Sequence, residues 1–276
     1  MASDANSPAD LVRGHTPVIA PKWVKNVPRL GDDVIDAYRS CSVPDVSDAV
    51  GPLYTMSSGM RPLYEPITRL VGRALTVKAP AGDSLTVHGA ISVCQPGDVL
   101  VVDWRGHVDS CSGGAGMLIQ PIRQGLAGIV VDGAWRDVPD LQALDFPIFG
   151  RGTCSVSRAK SQLGEINVAV SCGGVVVHPG DLIVADAEGI VVVPRNDVTA
   201  VLDNVRHRAP KTPPVPERET SAADTATDDP AGGLAAHLEG RARLHYGDQQ
   251  AKVPRSTIFQ GVFAAAGGVV LDWDEI

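Results

Sequence analysis

The chain has 276 residues, of which 44% are hydrophobic, and a formal net charge of −8. That is enough apolar matter for one sizeable core, with only 4% aromatics to help Val, Leu, Ile and Ala fill it. The acidic balance argues against nucleic acid or an anionic membrane as the main partner and suits small-molecule or metal chemistry.

Residues 1–28 are polar and Pro-rich and predict an extended arm; they hold no apolar signal region, and no stretch reaches membrane-spanning length. The expectation is a cytoplasmic protein. "GDDVIDAYRSC" (31–41) sets Val34, Ile35 and Tyr38 at helical spacing behind an acidic first turn. A second helix is expected over 44–51, stopped by Gly51. From residue 71 the character changes to short β-branched runs between tight turns. Strands are predicted at 71–80, 99–104, 127–133 and 146–152. Helices alternate with them at 85–94, 114–125 and 138–144, with Pro121 near the first turn of the middle one or kinking it. Residues 164–194 read as a series of short strands. "QPGDVLVVD" (95–103) and "HPGDLIVAD" (178–186) are near copies, and Pro-Gly-Asp is a turn signal in both, so no catalytic role is assigned to Asp98 or Asp181. An amphipathic helix follows over 196–208, capped by Asn196 or Asp197. Residues 209–233 are Pro-, Thr- and Asp-rich and predict a disordered insert. The remainder, 234–276, predicts a helix over 234–247 and an apolar tail that docks on its own core or on a neighbouring subunit.

The five cysteines (Cys41, Cys94, Cys111, Cys154, Cys172) are dispersed with no CxxC pair, which reads as free thiols. No HExxH, His/Cys cluster, GxSxG or P-loop is present, and no lysine, Lys78 and Lys160 included, has a Schiff-base context. Two stretches remain. "DGAWRDV" (132–138) puts Arg136 and Asp137 after a buried strand, where open sheets hold ligands. Arginine offers a planar fork to a carboxylate, and aspartate a hard oxygen to a divalent cation. By themselves the two residues more readily describe an exposed ion pair worth under about 1 kcal/mol. "SGGAGM" (112–117) lies one helix earlier, and its glycines expose backbone N–H groups at a helix start, or simply serve a turn.

The order and spacing of "GDVLVVD", the Gly-rich loop, "GLAGIVVDGAWRDVPDLQALDFPIFGRGT" and "GEINVAVSCGGVVVHPGDLIVADAEGIVVVP" resemble the RraA-like family over about residues 35–208. That family includes class II 4-hydroxy-4-methyl-2-oxoglutarate / 4-carboxy-4-hydroxy-2-oxoadipate aldolases and regulators of ribonuclease activity. The resemblance implies an α/β fold, a swivelling β/β/α domain with a sandwich- or barrel-like β core flanked by helices, as the catalytic domain over 29–208. It implies a homotrimer or homohexamer with active sites between subunits. It also implies that Arg136 binds the pyruvyl part of a 2-oxo acid substrate and that Asp137 leads to Mg²⁺ or Mn²⁺. The regulators typically lack that aspartate, which favours the catalytic branch.

The aldolases usually carry an acid 21 positions before the arginine, and here that position is Ala115. The backbone of Gly114, Ala115, Gly116 and Met117 remains available to bind substrate, while the acid/base role passes to His88, Asp109 or Ser112 as replacement candidates. Asp272, Asp274 or Glu275 of the additional tail would be able to reach a neighbour's site. The expected function is a divalent-metal-dependent carbon–carbon lyase acting on a 2-oxo acid, by retro-aldol cleavage or oxaloacetate-type decarboxylation through a pyruvate enolate. The alternatives are a different metal-dependent enzyme on the same scaffold and a non-catalytic regulatory binding protein. A menaquinone methyltransferase has no support, because no glycine-rich cofactor turn with a ribose-binding acid is present.

Overall fold

The computed structural model describes residues 19–208, 255–265 and 267–275. The predicted insert at 209–233 and the helix at 234–247 lie outside them. In chain order the elements are β1 (Lys22–Lys25), α1 (Asp32–Arg39), α2 (Val43–Val50), β2 (Arg61–Pro62), β3 (Leu70–Lys78), α3 (Leu85–Val93), β4 (Asp98–Cys111), α4 (Ile119–Arg123), β5 (Gly128–Trp135) and α5 (Val138–Ala143). They continue with β6 (Ile148–Thr153), β7 (Glu165–Ile166), β8 (Val170–Cys172), β9 (Val175–Val177), β10 (Leu182–Asp186), β11 (Gly189–Val193), α6 (Val198–His207), α7 (Arg255–Ala265) and β12 (Val269–Asp272).

β3, β4, β5 and β6 lie side by side and parallel, each connected to the next through a helix. The sheet runs β12-β1-β7-β3-β4-β5-β6-β2, and β10, paired with β11, branches from β3. Alternation along the strands divides the interior by face. Leu75, Val77, Leu100, Val102, Ile129, Val131 and Ile148 point to one side and pack with residues of α3, α5 and α7. Ala74, Val99, Val101, Val130 and Phe149 point to the other and meet Ile183, Ala185, Ile190 and Val192 of β10–β11, with the β8–β9 hairpin closing the gap. The outer face of β10–β11 (Leu182, Val184, Val191, Val193) is covered by Ile35 and Tyr38 of α1, Val43 and Val46 of α2, and Val198, Val201 and Leu202 of α6. The second β layer between sheet and helices is the β/β/α arrangement.

The two Pro-Gly-Asp turns have the same bond pattern. Asp98 Oδ2 accepts from Gln95 N (2.8 Å), and Asp181 Oδ2 accepts from His178 N (2.8 Å). Burial pushes both carboxyls up despite these bonds.

Several bounds differ from the sequence expectation. The segment 22–25 of the N-terminal arm is a strand, because β12 and β7 lie on either side of it. β4 continues to Cys111 rather than stopping near 104, rejoining β5 through two register shifts around His107. The mostly polar stretch 105–110 hides that continuation from a hydrophobic pattern. The helix expected over 114–125 is a 3₁₀ turn at 115–117 followed by α4, since the glycines disfavour helix and Pro121 is confined to a first turn. The cap of α6 is Asp197, with no side-chain capping bond. The tail docks on the chain's own core: Phe259 and Phe263 pack on Trp23, with centroids 5.8 and 6.1 Å away.

Candidate active site

Because β3 to β6 are parallel, the loops that follow them gather at one end of the sheet, the end at which open parallel sheets place ligands. β5 is buried along its whole length. Just past it Asp137 takes a left-handed backbone (φ 57°) and turns the chain into α5. Aspartate tolerates that conformation better than most residues. At the N-cap of α5 its side chain makes no capping hydrogen bond, so the carboxylate is left for another partner. Asp137 Oδ2 stands 3.8 Å from Arg136 Nε, and both side chains are partly exposed. That ion pair is long and wet, too weak to be the reason for the arrangement.

The Gly-rich loop covers this corner. Arg136 N donates to Gly113 O (3.2 Å), and Ser112 N donates to Ala134 O (2.8 Å). A Cβ on Gly113 would overlap the Trp135 ring, and one on Gly114 would overlap Asp137 Oδ2 and press on Arg136 Cγ at 3.2 Å. Only glycine allows the backbone this close. A Cβ on Gly116 would meet nothing within 4 Å, so the loop opens there.

Gly113 and Gly114 are thus brought against Arg136 and Asp137. Ala115 is fully buried in the core, and Met117 is buried beside it. Ser112 is fully buried, and its Oγ donates to Ala134 O (3.0 Å), which ties the loop to β5. Asp109 is exposed on the irregular extension of β4. His88 lies one turn into α3, its N–H donating to Ser84 O (3.0 Å). No described contact joins any of these three candidates to Asp137. Asp272 accepts from Asn26 Nδ2 (2.6 Å) at the opposite edge of the sheet.

Sequence reasoning missed three residues. Asp132, buried inside β5, pairs with Arg151 and accepts from Gly173 N (2.9 Å). Asp83 accepts from Leu85 N (3.0 Å), Ser161 N (2.7 Å), Ser161 Oγ (2.9 Å) and Gln162 N (2.9 Å), fastening the loop after β6 to the loop after β3. Burial raises its carboxyl pKa, but these donors outweigh burial and hold it below the usual aspartate range. Arg158 reaches across the strand ends to Ser84 Oγ (3.0 Å), Cys111 Sγ (3.5 Å) and Met117 Sδ (3.5 Å). In sequence it is one arginine in a polar loop, with no periodicity or motif around it.

Among the described residues no group of three His, Cys, Asp or Glu side chains is placed to hold a metal. Asp137 offers one uncommitted carboxylate. That fits Mg²⁺, which keeps several waters and takes one or two protein carboxylates, and does not fit a closed four-ligand zinc site.

The family profile described as RraA-like, Aldolase/RraA, matches residues 43–192, which contain the glycine loop, Arg136 and Asp137. The chain belongs to the RraA-like family. A Halalkalibacterium halodurans protein provisionally named 4-hydroxy-4-methyl-2-oxoglutarate aldolase is 39% identical over 207 residues, covering 75% of this chain and 94% of the relative. The crystal structure of Streptomyces coelicolor RraAS2, described as an unusual member of the RNase ES inhibitor RraA protein family, superposes with a TM-score of 0.59 at 31% identity over 66% of this chain and 94% of that one. A Geobacillus kaustophilus structure described as an S-adenosylmethionine:2-dimethylmenaquinone methyltransferase superposes with a TM-score of 0.52 at 28% identity, covering 56% of this chain and 95% of that one. The mixed α/β fold, a large sheet flanked by helices, is that of RraA proteins. No helix of the described residues is long and apolar enough to cross a membrane.

Proposed function

We propose that this RraA-like protein is a divalent-metal-dependent carbon–carbon lyase that releases pyruvate from 2-oxo acids. The observation that carries the reading is the Arg136–Asp137 corner at the end of β5, where a glycine lets the loop close over two side chains that stay partly exposed. The name of the Halalkalibacterium relative supports the same substrate class. Asp137 would hold Mg²⁺ or Mn²⁺ with water filling the other positions. A bound ion supplies Lewis-acid polarisation of the 2-oxo group. Arg136 would take the adjacent carboxylate. Its side chain is 36% exposed, so the guanidinium is within reach of a ligand, while its Nε lies buried under the glycine loop and faces Asp137. The same guanidinium stabilises the charge that develops as the carbon–carbon bond breaks and an enolate forms. The amide of Gly116, the exposed residue of the loop, would be a further donor to substrate, while those of Gly114 and Ala115 are buried beneath it.

Two reactions share that enolate, and they differ in their need for a base. Retro-aldol cleavage must remove a hydroxyl proton, whereas decarboxylation of a 3-carboxy-2-oxo acid releases CO₂ without proton abstraction. Ala115 is buried and carries no acid, so water takes the proton in the retro-aldol case and decarboxylation is the faster of the two. The cleft is assigned to the interface of a homotrimer or homohexamer, and no nucleic acid or membrane partner is proposed.

Pyruvate release from oxaloacetate and from 4-hydroxy-4-methyl-2-oxoglutarate, each with Mg²⁺ and with Mn²⁺, tests this. The expected result is release that EDTA abolishes and that Arg136→Ala lowers by about 10²-fold or more in kcat/KM. No release from either substrate with either metal overturns it. The Ala115 position favours one second reading, a different metal-dependent reaction at the same corner. Thermal stabilisation by 2-oxo acids without cleavage would point there.

A further inference from the structure

We propose that Arg158 is the second anion-binding group of this cleft, taking the distal carboxylate of a dicarboxylic 2-oxo acid whose oxo-carboxylate end lies on Arg136. The inference rests on the reading of the Arg136–Asp137 corner given above. Arg29, Arg73 and Arg151 each meet a carboxylate, those of Asp98, Asp32 and Asp132. Arg158 meets none among the described residues. Its three nitrogens donate to one hydroxyl and two sulfurs, and sulfur is a weak acceptor. A guanidinium is always charged, and Arg158 is half-buried, so it has given up water without gaining a counter-charge. An arriving carboxylate replaces weak acceptors with a strong one.

Its position relates it to the site. The glycine loop makes one 3₁₀ turn, closed by Met117 N donating to Gly114 O (3.2 Å). Gly114, at one end of that turn, abuts Arg136 and Asp137, and Met117, at the other, touches Arg158. Three residues of 3₁₀ helix advance about 6 Å, the scale of a short dicarboxylic acid. The backbone that carries Arg158 is fixed in advance. Ala159 N donates to Gly82 O (2.8 Å), Ser84 N donates to Ala159 O (2.9 Å), and Asp83 holds Ser161 and Gln162. Preorganisation of this kind is what a charge-recognition residue needs and a solvated surface arginine lacks.

Calorimetric titration with Mn²⁺ present tests the proposal, using pyruvate, which has no distal carboxylate, and 2-oxoglutarate, which has one. Arg158→Gln should raise the Kd for 2-oxoglutarate at least 10-fold and leave that for pyruvate within 2-fold, with melting temperature recorded alongside. Arg158→Lys keeps the charge without the fork and should recover part of the loss. It also serves as the folded variant if the glutamine variant is unstable. An equal change for both ligands, or no change for either, overturns the proposal. Arg136→Gln separates the two claims, since it should weaken both ligands. If it weakens neither, or if the wild type binds neither, the reading of the corner fails, and Arg158 falls with it.

Discussion

Asp132 and Asp137 stand five positions apart in one stretch and have opposite duties. Asp132 is 6% exposed, pairs with Arg151 and accepts from Gly173 N, so it joins β5 to β6 and to the β8–β9 hairpin. Asp137 has no such bonds and projects from a left-handed turn. Asp132→Ala should therefore cost about 2–3 kcal/mol, because it leaves Arg151 unpaired and a buried N–H unsatisfied. Asp137→Asn should leave unfolding in urea unchanged without metal and abolish the added stability that millimolar Mn²⁺ gives the wild type. The reverse pattern would exchange the two roles. Asp83 adds a pH signature. Its folded carboxyl titrates below its unfolded value, so its stabilisation is complete above the ordinary aspartate range, near about pH 4, and fades as the pH falls through the lower folded value. Asp83→Asn should be clearly destabilised at pH 7 and approach the wild type at pH 3, as urea unfolding at the two values would reveal. In sequence, Arg136 and Asp137 are legible because a strand end and a glycine loop flag them. Asp83 and Arg158 are not, because their partners come from loops after three different strands.

At the level of elements, the part least legible in sequence is the packing of the tail. Its apolar composition says that it docks, and its target lies far away in the chain. α7 sets Phe259 against Trp23 and the bare Cα of Gly89 in α3, while Gly268 makes room for the Phe263 ring. β12 then pairs with β1 in parallel register, Trp23 beside Val270. A composition-based arm over residues 1–28 cannot anticipate this, since β1 gains its bonding partners from β7 and β12, the nearer of them 143 positions later. The first half of β4 and β5 are legible, by contrast, because burial on both faces writes a continuous apolar run, and β3 is legible from its alternation. Phe263 is fully buried, so Phe263→Ala should cost about 3 kcal/mol and free the tail for proteolysis. Gly89→Ala should do the same from the other side, since its Cβ would overlap the Phe259 ring. A tail that mattered only in an assembly would leave the melting temperature of both variants unchanged.

The whole molecule leaves apolar side chains uncovered on neighbouring elements. Leu53 is 83% exposed, Val176 59% and Val108 43%. The turn that bears Leu53 packs on β9, which carries Val176, and the β8 partner of β9 packs on β4, which carries Val108. Single exposed hydrophobics are ordinary, and these lie on adjoining elements, which makes them candidates for one associating surface. The homotrimeric or homohexameric assembly proposed above would give this surface an occupant, further copies of the same chain in a closed ring. Leu53→Asp combined with Val176→Asp places two charges in that surface without touching the interior. Light scattering should then report a single chain for the variant and three or six chains for the wild type under the proposed assembly, with the circular dichroism of the fold retained. If the cleft at Arg136 lies between subunits, pyruvate release should fall together with the multimer and return when association is restored by higher concentration. An active single chain would instead place the complete site within one subunit, and an unchanged multimer would move the interface to another face.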